Sequence, residues 1–257
     1  MKRNDSATDP IKLFLKWYEE AQTGKGGLFP KNWLISLGTQ VVRRLLVAVL
    51  PFSNLLRPDI AILSTTTLEN RPSARSVLFK GFVHGGFSFY TDYESNKGKE
   101  LGANPSAVMV FYWHFPPRQV RIDGKVIMLS RKEAEADWRA RRRENQAASA
   151  AAPQSSVIEG RENLIKKVNQ IKRRYKGKPI PCPDSWGGYC LIPDKIEFWE
   201  GRFDWIHLRE RYVLKNGACL PFSFKPSSTT SGYLQSMSSN SRSFIFNLHT
   251  DYHNAVR

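Results

Sequence analysis

Alternating apolar and polar positions fill the middle of the chain and predict β-strands. The stretch IAILSTTTL, which begins at Ile60, alternates and is rich in β-branched residues. The same pattern marks RSVLFKGF and FSFYT, with a turn at Gly85-Gly86 between them, then AVMVFYWHF and RQVRIDGKVIML, and finally WGGYCLIPDKIEFWEG and RYVLKNGACL. The first three of these strands follow one another after short turns, which predicts a meander, and all of the strands together predict an antiparallel β-barrel.

Helical spacing occurs at four places around these strands. Asp9 and Pro10 precede apolar residues at helical spacing, which predicts a capped helix with a packing role. A short helix is predicted to end within Leu101–Pro105. Ser130 is predicted to cap the helix RKEAEADWRARRRENQ, and ENLIKKVNQIKRRYKG is predicted to form another. The predicted fold class is therefore mainly β with flanking helices.

Two segments differ from the rest of the chain. Residues 25–56 are apolar, but Arg43, Arg44 and Pro51 interrupt them, so about 18 uninterrupted apolar residues are not reached. A buried or surface-lying amphipathic helix is predicted there in preference to a membrane span, and a poorly packing insertion is the third possibility. Residues 221–257 are Ser-rich and aperiodic, which predicts disorder. We interpret both segments as atypical additions.

Composition limits the expected partners to anionic ones but does not select among them. The 257 residues are 41% hydrophobic, enough for one well-cored domain or two small ones. A net charge of +16 favours anionic partners, namely nucleic acid, a membrane surface or phosphorylated small molecules. The three cysteines have no metal-ligand spacing and the first ten residues lack the apolar core of a signal peptide, so a cytoplasmic location and no metal are predicted.

Cations and hydroxyls are concentrated between residues 75 and 101, where they predict an anion site. Arginine can bond two phosphate oxygens at once, lysine supplies a point charge, and hydroxyls complete the shell. The residues concerned are Arg75, Lys80, Tyr90, Thr91, Ser95 and Lys97.

Several separate motifs follow one another along the chain, namely RSVLFKGF, FYTDYESNKGKEL, NP, FYW, RQVRIDGKV, QSS, WGGY and IEFWEG. In their order and spacing they resemble the pyridoxine (pyridoxamine) 5′-phosphate oxidase family, and the resemblance covers roughly residues 9–22 and 58–220. It implies a flavin-reductase-like split β-barrel, a homodimer, and FMN in two clefts at the dimer interface. The resulting division is a helical segment at 1–24, an insertion at 25–56, an oxidase domain at 57–220 with a dimerisation region at 186–220, and a tail at 221–257.

The resemblance also implies the cofactor-binding residues. Arg75, Lys97, Thr91 and Ser95 match residues that hold the FMN phosphate. The remaining matches are Val77, Leu78, Lys80, Tyr90, Asn96, Gln119, Gln154, Ser155, Trp199 and Arg209. Taken singly, each has a structural alternative, such as a loop cap for Thr91 or Ser95. Asn96 stands where the family usually has a phosphate-binding arginine, so we expect FMN affinity to be weaker by roughly tenfold or more.

The predicted substrate-binding residues depart further from the family pattern. The resemblance places Lys80 near the substrate, and the family's phosphate-gripping tyrosine, arginine and serine correspond to Asp137, Arg141 and Asn145. A solvated basic helix end is the alternative interpretation. Trp205 replaces the arginine that covers the substrate ring. The residues His207 and Arg209 are retained and are the predicted catalytic residues, His207 in a positioning role near the reacting carbon.

The activity implied by the resemblance is that of vitamin B6 metabolism. C4′ of pyridoxine 5′-phosphate or pyridoxamine 5′-phosphate gives hydride to flavin N5, oxygen reoxidises the flavin to yield hydrogen peroxide, and the product is pyridoxal 5′-phosphate. Three alternatives stay open: a related flavin oxidase of another ring, as in phenazine-pathway relatives; a non-catalytic flavin- or pyridoxal-phosphate-binding homologue; and a nucleic-acid-binding protein. Charge alone suggests the last, without an RNA-recognition signature or zinc ligands, so neither nucleic acid nor a membrane is the expected partner.

Overall fold

The structure is a computed structural model that describes residues 9–23, 57–114, 116–152, 154–202, 204–215 and 218–221. The predictions made for residues 25–56 and for the tail beyond Pro221 lie outside these ranges. None of the described helices is long and apolar enough to cross a membrane.

Five helices and nine strands make up the described part of the chain. The helices are α1 (Pro10–Thr23), α2 (Asn96–Ala103), α3 (Arg131–Ala140), α4 (Arg143–Ala151) and α5 (Arg161–Arg174). The strands are β1 (Ile60–Thr66), β2 (Pro72–Leu78), β3 (Gly81–Val83), β4 (Gly86–Asp92), β5 (Ser106–His114), β6 (Pro117–Met128), β7 (Trp186–Glu200), β8 (Leu208–Lys215) and β9 (Ala218–Pro221).

The strand order is β2-β1-β5-β6-β7-β4-β3, with β8 paired to β7 and β9 to β8. The predicted simple meander is therefore wrong, although β5, β6 and β7 do follow one another. Strands β2 and β3 are consecutive along the chain but lie at the two ends of this order. The reason is that β1 pairs with β5 and β4 pairs with β7, and such distant pairings leave no mark in local alternation.

The chain divides into two compact units, and the first contains α1, β8, β9, residues 109–122 and the end of β7 from Asp194. Helix α1 begins where Asp9 Oδ1 accepts from the backbone N–H of Ile11 at 2.9 Å, as its capping sequence predicted. Its buried aromatic face packs on the strands of this unit: Phe14 meets Phe111 at 5.0 Å between ring centroids, and Trp17 meets Phe198 at 5.2 Å.

The second unit holds residues 62–108 and 123–193. Strand β4 pairs antiparallel with the first half of β7, from Phe87 opposite Leu191 to Asp92 opposite Trp186. A Cβ at Gly187 would lie 1.8 Å from the Tyr93 ring, so a glycine at this position leaves the space that the ring occupies. Beside it, the thiol of Cys190 donates to Val83 O at 3.1 Å, and burial raises the pKa of this thiol to about 11.

Two predicted elements end earlier than the sequence indicates. The strand predicted over RSVLFKGF stops at Leu78 and resumes only at Gly81, whose φ of 134° departs from regular strand geometry. The connection between β3 and β4 is correspondingly at His84 and Gly85, which both have positive φ, and Gly86 already belongs to β4.

The helix predicted after Ser130 is in fact two helices. The capping box of Ser130 and Glu133 starts α3, as expected, but the helix ends at Ala140. Arg141 is extended, with φ −71° and ψ 147°, and its guanidinium lies 4.2 Å from the Trp186 ring centroid. A tertiary contact 45 residues away in sequence therefore accompanies the break, which helical propensity alone does not predict.

Candidate functional site

The first group of predicted site residues gathers around Lys97, in the second unit. Lys97 Nζ donates to Thr91 Oγ1 at 2.9 Å, to Ser95 Oγ at 3.2 Å and to Gln154 Oε1 at 2.9 Å. All three acceptors are neutral. Together with Arg75 these residues are called the Lys97 cluster below, and all five were predicted as cofactor-binding residues.

Local structure places Lys97 at the start of α2. Ser95 is the N-cap of this helix, and its Oγ donates to Asp92 O at 2.6 Å and accepts from the N–H of Gly98 at 3.3 Å. Gly98 is essential to this geometry, because a Cβ there would lie 2.2 Å from Tyr93 O. The cluster is thus held at the positive end of a helix dipole, a favourable position for an anion.

The electrostatics of the Lys97 cluster favour an added negative charge. Burial, followed by the nearby charge of Arg75, lowers the pKa of Lys97, while Asp92 and Glu100 oppose the shift. Among the described residues this partly buried ammonium group donates only to neutral acceptors, and it lies near a guanidinium. It therefore gains more from an incoming anion than an exposed lysine would. A phosphate suits this set of donors.

Arg75 already has partners within the unit. Its Nη2 pairs with Glu100 Oε2 at 2.9 Å, and its other bonds go to the hydroxyls of Thr65 and Ser73. Among the described residues these contacts use three of the five N–H groups of the guanidinium, so two can still donate to an added anion. The carboxylate of Glu100 neutralises part of the positive charge of the cluster and orients the Arg75 side chain.

The QSS segment closes the same site. The backbone N–H of Gln154 donates to Asp92 Oδ2 at 3.4 Å, and the N–H of Asn96 donates to Ser155 Oγ at 3.3 Å. Ser155 has a φ of 63°, a conformation that non-glycine residues adopt rarely. The side chain of Asn96 is exposed, so this position has room for a longer residue.

Three other predicted cofactor residues lie in this unit. Val77 is buried, Leu78 is exposed, and Tyr90 is half-buried with a pKa raised by burial.

The predicted substrate residues Lys80, Asp137 and Arg141 also come together in this unit. Lys80 Nζ lies 3.5 Å from Asp137 Oδ1. Arg141 donates to Ser149 Oγ at 3.1 Å and stacks on Trp186. Burial lowers the pKa of Arg141 and the charge of Asp137 opposes this shift. Asn145, the fourth residue of the set, is exposed on α4.

Three buried polar atoms around Arg141 have no hydrogen-bond partner among the residues that the structure describes. They are Asp137 Oδ2, Arg141 Nε and Trp186 Nε1. One is an acceptor and two are donors. Buried polar atoms usually have partners, so each of these three atoms is available to a bound group or a water molecule.

The remaining predicted residues belong to the first unit. Trp199 of β7 pairs with Arg209 of β8, and the Trp199 ring lies 5.0 Å from that of His207. His207 Nδ1 accepts from the N–H of Arg202 at 3.1 Å. Trp205 is exposed with a φ of 60°, and Gln119 is half-buried on β6.

A buried carboxylate that the sequence did not single out holds Arg209. Glu197, only 1% exposed, accepts from Arg209 at 2.6 Å and from Arg211 at 2.7 Å. Burial would raise the pKa of Glu197, but Arg211, Arg121 and Arg209 outweigh it and the pKa is lowered. Glu197, Trp186 and Glu100 stand inside the motifs IEFWEG, WGGY and FYTDYESNKGKEL, and these motifs were the available signal.

Comparison with known proteins covers most of the chain. The family model described as pyridoxamine 5′-phosphate oxidase matches residues 52–175, and that of the pyridoxine 5′-phosphate oxidase C-terminal dimerisation region matches residues 186–225. The pyridoxine/pyridoxamine 5′-phosphate oxidase of Rubrobacter xylanophilus is 37% identical, over 80% of this chain and 81% of its own. That of Leptospira biflexa is 41% identical, over 81% and 84%. The bovine pyridoxine-5′-phosphate oxidase is 36% identical, over 82% and 70%.

Solved structures confirm the predicted split-barrel fold class. PhzG from Burkholderia lata, in complex with tetrahydrophenazine-1-carboxylic acid, matches with a TM-score of 0.67 and 27% identity, over 87% of this chain and 95% of its own. A pyridoxamine 5′-phosphate oxidase-related, FMN binding protein from Nostoc punctiforme matches with a TM-score of 0.54, and at 17% identity it supports the fold alone.

Proposed function

Since the chain belongs to the pyridoxine/pyridoxamine 5′-phosphate oxidase family of oxidoreductases, we propose that it is an FMN-dependent oxidase of vitamin B6 phosphates. Its substrates would be pyridoxine 5′-phosphate and pyridoxamine 5′-phosphate, its acceptor oxygen, and its product pyridoxal 5′-phosphate. The observation that carries the proposal is the Lys97 cluster, whose cations and hydroxyls suit a cofactor phosphate.

Different residues would bind the cofactor and the substrate. Lys97, Arg75, Thr91 and Ser95 hold the FMN phosphate, and the N-terminus of α2 adds its dipole. When bound, FMN accepts a hydride from the substrate and passes the electrons to oxygen. Lys80 and Arg141 attract the anionic end of the substrate.

The roles of the first-unit residues rest on the family resemblance. Trp199, Gln119 and Arg209 are proposed to contact the flavin, and His207 to position the reacting carbon. Glu197 would help Arg209 contact the flavin, because its carboxylate holds the Arg209 guanidinium in place. Because residues 186–225 match a dimerisation region, we also propose that the protein acts as a homodimer.

The test combines cofactor binding with turnover. Purified protein is titrated with FMN and then assayed for hydrogen peroxide release with each of the two B6 phosphates. The variant Lys97→Gln removes the charge of the cluster and is expected to lower FMN affinity by roughly tenfold to a hundredfold, as loss of a charge-assisted hydrogen bond predicts. Lys99→Gln, at an exposed position of the same helix, is the matched control and should leave the affinity unchanged. FMN binding without turnover on either phosphate would contradict the proposed reaction.

A second candidate is a flavin oxidase that acts on a different ring. The ion pair between Lys80 and Asp137 favours it, because the remaining positive charge suits a singly charged carboxylate better than a phosphate dianion. The likeness to PhzG, whose structure contains a carboxylated ring compound, points the same way. Peroxide release with a carboxylated reduced ring compound, and none with the B6 phosphates, would select this candidate. Flavin binding with no turnover on either class would indicate a non-catalytic homologue.

A further inference from the structure

Helix α3 places a carboxylate beside both cations of the predicted substrate pocket. Asp137 Oδ1 lies 3.5 Å from Lys80 Nζ, and the Asp137 side chain is only 8% exposed, against 37% for Lys80. Arg141 follows Asp137 by four residues and the two charges interact, since Asp137 opposes the lowering of the pKa of Arg141. The carboxylate is therefore built into the pocket, in contact with the cation that a phosphate would need.

The charge of this pocket is accordingly half of what its cations alone would supply. Lys80 and Arg141 carry two positive charges, and Asp137 cancels one of them. A phosphate monoester has its second pKa near 6 and is mostly a dianion at neutral pH. Such a group would be repelled by Asp137, and burial strengthens the repulsion because the local dielectric constant is low.

The unpartnered buried atoms of Asp137, Arg141 and Trp186 include both a hydrogen-bond acceptor and hydrogen-bond donors. Asp137 Oδ2 is a buried acceptor, whereas Arg141 Nε and Trp186 Nε1 are buried donors, and none has a partner among the described residues. A hydroxyl group donates one hydrogen bond and accepts others, so it satisfies both kinds of atom. A dianionic phosphate satisfies the two donors but leaves the carboxylate facing a like charge.

We propose that Asp137 is a specificity-determining residue that shifts this pocket from the phosphate ester of the substrate toward the free 5′-hydroxymethyl form. The inference rests on the proposed function, because it concerns which form of a B6 compound the same pocket takes. The charge of Asp137 lowers the affinity for the ester, and its carboxylate accepts a hydrogen bond from the alcohol. The two forms of the ligand then bind with similar strength.

The experiment compares pyridoxal 5′-phosphate with pyridoxal. The dissociation constant of each is measured by calorimetry on the full chain saturated with FMN, for the unaltered protein and for Asp137→Asn, which removes the charge and keeps the shape. In the unaltered protein the two constants should agree within about tenfold. In Asp137→Asn the dissociation constant of the phosphate ester should fall by about tenfold or more, while that of pyridoxal should change by less than about threefold.

Glu135→Gln is the matched control. This residue is on the same helix, 41% exposed, and pairs with Arg131 and Arg139, so its loss removes a similar charge without touching the pocket. The ratio of the two dissociation constants should stay as in the unaltered protein. Asp137→Ser provides a second variant should Asp137→Asn fail to fold, and it should shift the ratio in the same direction.

Two results would overturn the proposal, and they are distinguishable. If both ligands bind and their ratio is the same with and without Asp137, the carboxylate does not set specificity, although the proposed function stands. If neither ligand binds any variant while FMN still does, the B6 substrate class itself is wrong and the proposal fails with it.

Discussion

Two lysines of the second unit, Lys97 and Lys80, carry the same charge in opposite surroundings. Lys97 donates to three neutral acceptors at the start of a helix, whereas Lys80 faces the carboxylate of Asp137 at 3.5 Å. The first is ready to receive an anion, and the second already has one. Cations counted along a sequence therefore do not measure affinity for a phosphate, because the neighbouring carboxylates decide how much of the charge is available.

The largest expected effect comes from the scaffold of the Lys97 cluster. In Gly98→Ala the new Cβ would lie 2.2 Å from Tyr93 O, a backbone atom, so the start of α2 must move together with Ser95 and Lys97. We expect the free energy of unfolding to fall by about 1–3 kcal/mol and FMN affinity to fall by about tenfold or more. Urea unfolding and FMN titration measure the two effects.

Gly102→Ala is the control for this change. It lies on the same helix, and nothing is within 4 Å of its added Cβ. Because alanine favours helices over glycine by about 1 kcal/mol, this variant should be as stable as the unaltered protein or more so. Equal losses in both variants would show that close packing at Gly98 is not what positions Lys97.

A moderate gain in FMN affinity is expected when Asn96 is replaced by arginine. The change adds positive charge beside Lys97 and none beside Lys80, so it tests the difference between the two lysines. The side chain is exposed beside the Lys97 cluster, so Asn96→Arg adds a guanidinium without displacing core residues. FMN affinity should rise roughly tenfold, since a charge-assisted hydrogen bond to phosphate becomes available. Fluorescence titration of FMN measures this. Pyridoxal binding should not change, and a variant with unaltered FMN affinity would show that position 96 does not reach the phosphate.

The smallest expected effect concerns the helix that carries Asp137. Glu133 Oε2 accepts from the hydroxyl of Ser130 at 2.6 Å and from its N–H at 2.8 Å. The bond from the hydroxyl, followed by that with His84 and that from the N–H, lowers the pKa of Glu133 to about 2. A lowered carboxyl pKa stabilises the folded state above the ordinary value of 4.5, and this stabilisation is lost as pH falls toward 2. Because Glu133 is solvent-accessible, Glu133→Gln should cost on the order of a few tenths of a kcal/mol at pH 7.

Urea midpoints of the unaltered protein and Glu133→Gln between pH 7 and pH 3 test this dependence. The difference between the two should shrink as pH drops below about 4.5, the ordinary pKa of the carboxyl group. A difference that stays constant over this range would mean that the charge of Glu133 does not contribute to the start of α3.

Local sequence patterns predicted the elements better than their connections. The capping residues Asp9 and Ser130 and the alternation of β1 were sufficient for α1, for the start of α3 and for a strand. The break at Arg141 and the ion pair of Arg75 with Glu100 were not predictable, since each depends on residues brought together by the fold. The structural alternative for Ser95 also holds in part, because this residue caps α2 and accepts from Lys97 at once. The ligands of the predicted residues stay predictions.

The buried thiol of Cys190 has a consequence for an enzyme that would release hydrogen peroxide. Peroxide oxidises the thiolate form of cysteine, and a pKa of about 11 leaves about one thiolate per ten thousand thiols at pH 7. The hydrogen bond to Val83 O and the absence of solvent exposure slow the reaction further. If the proposed reaction takes place, Cys190 would therefore be protected against oxidation by the peroxide that it releases.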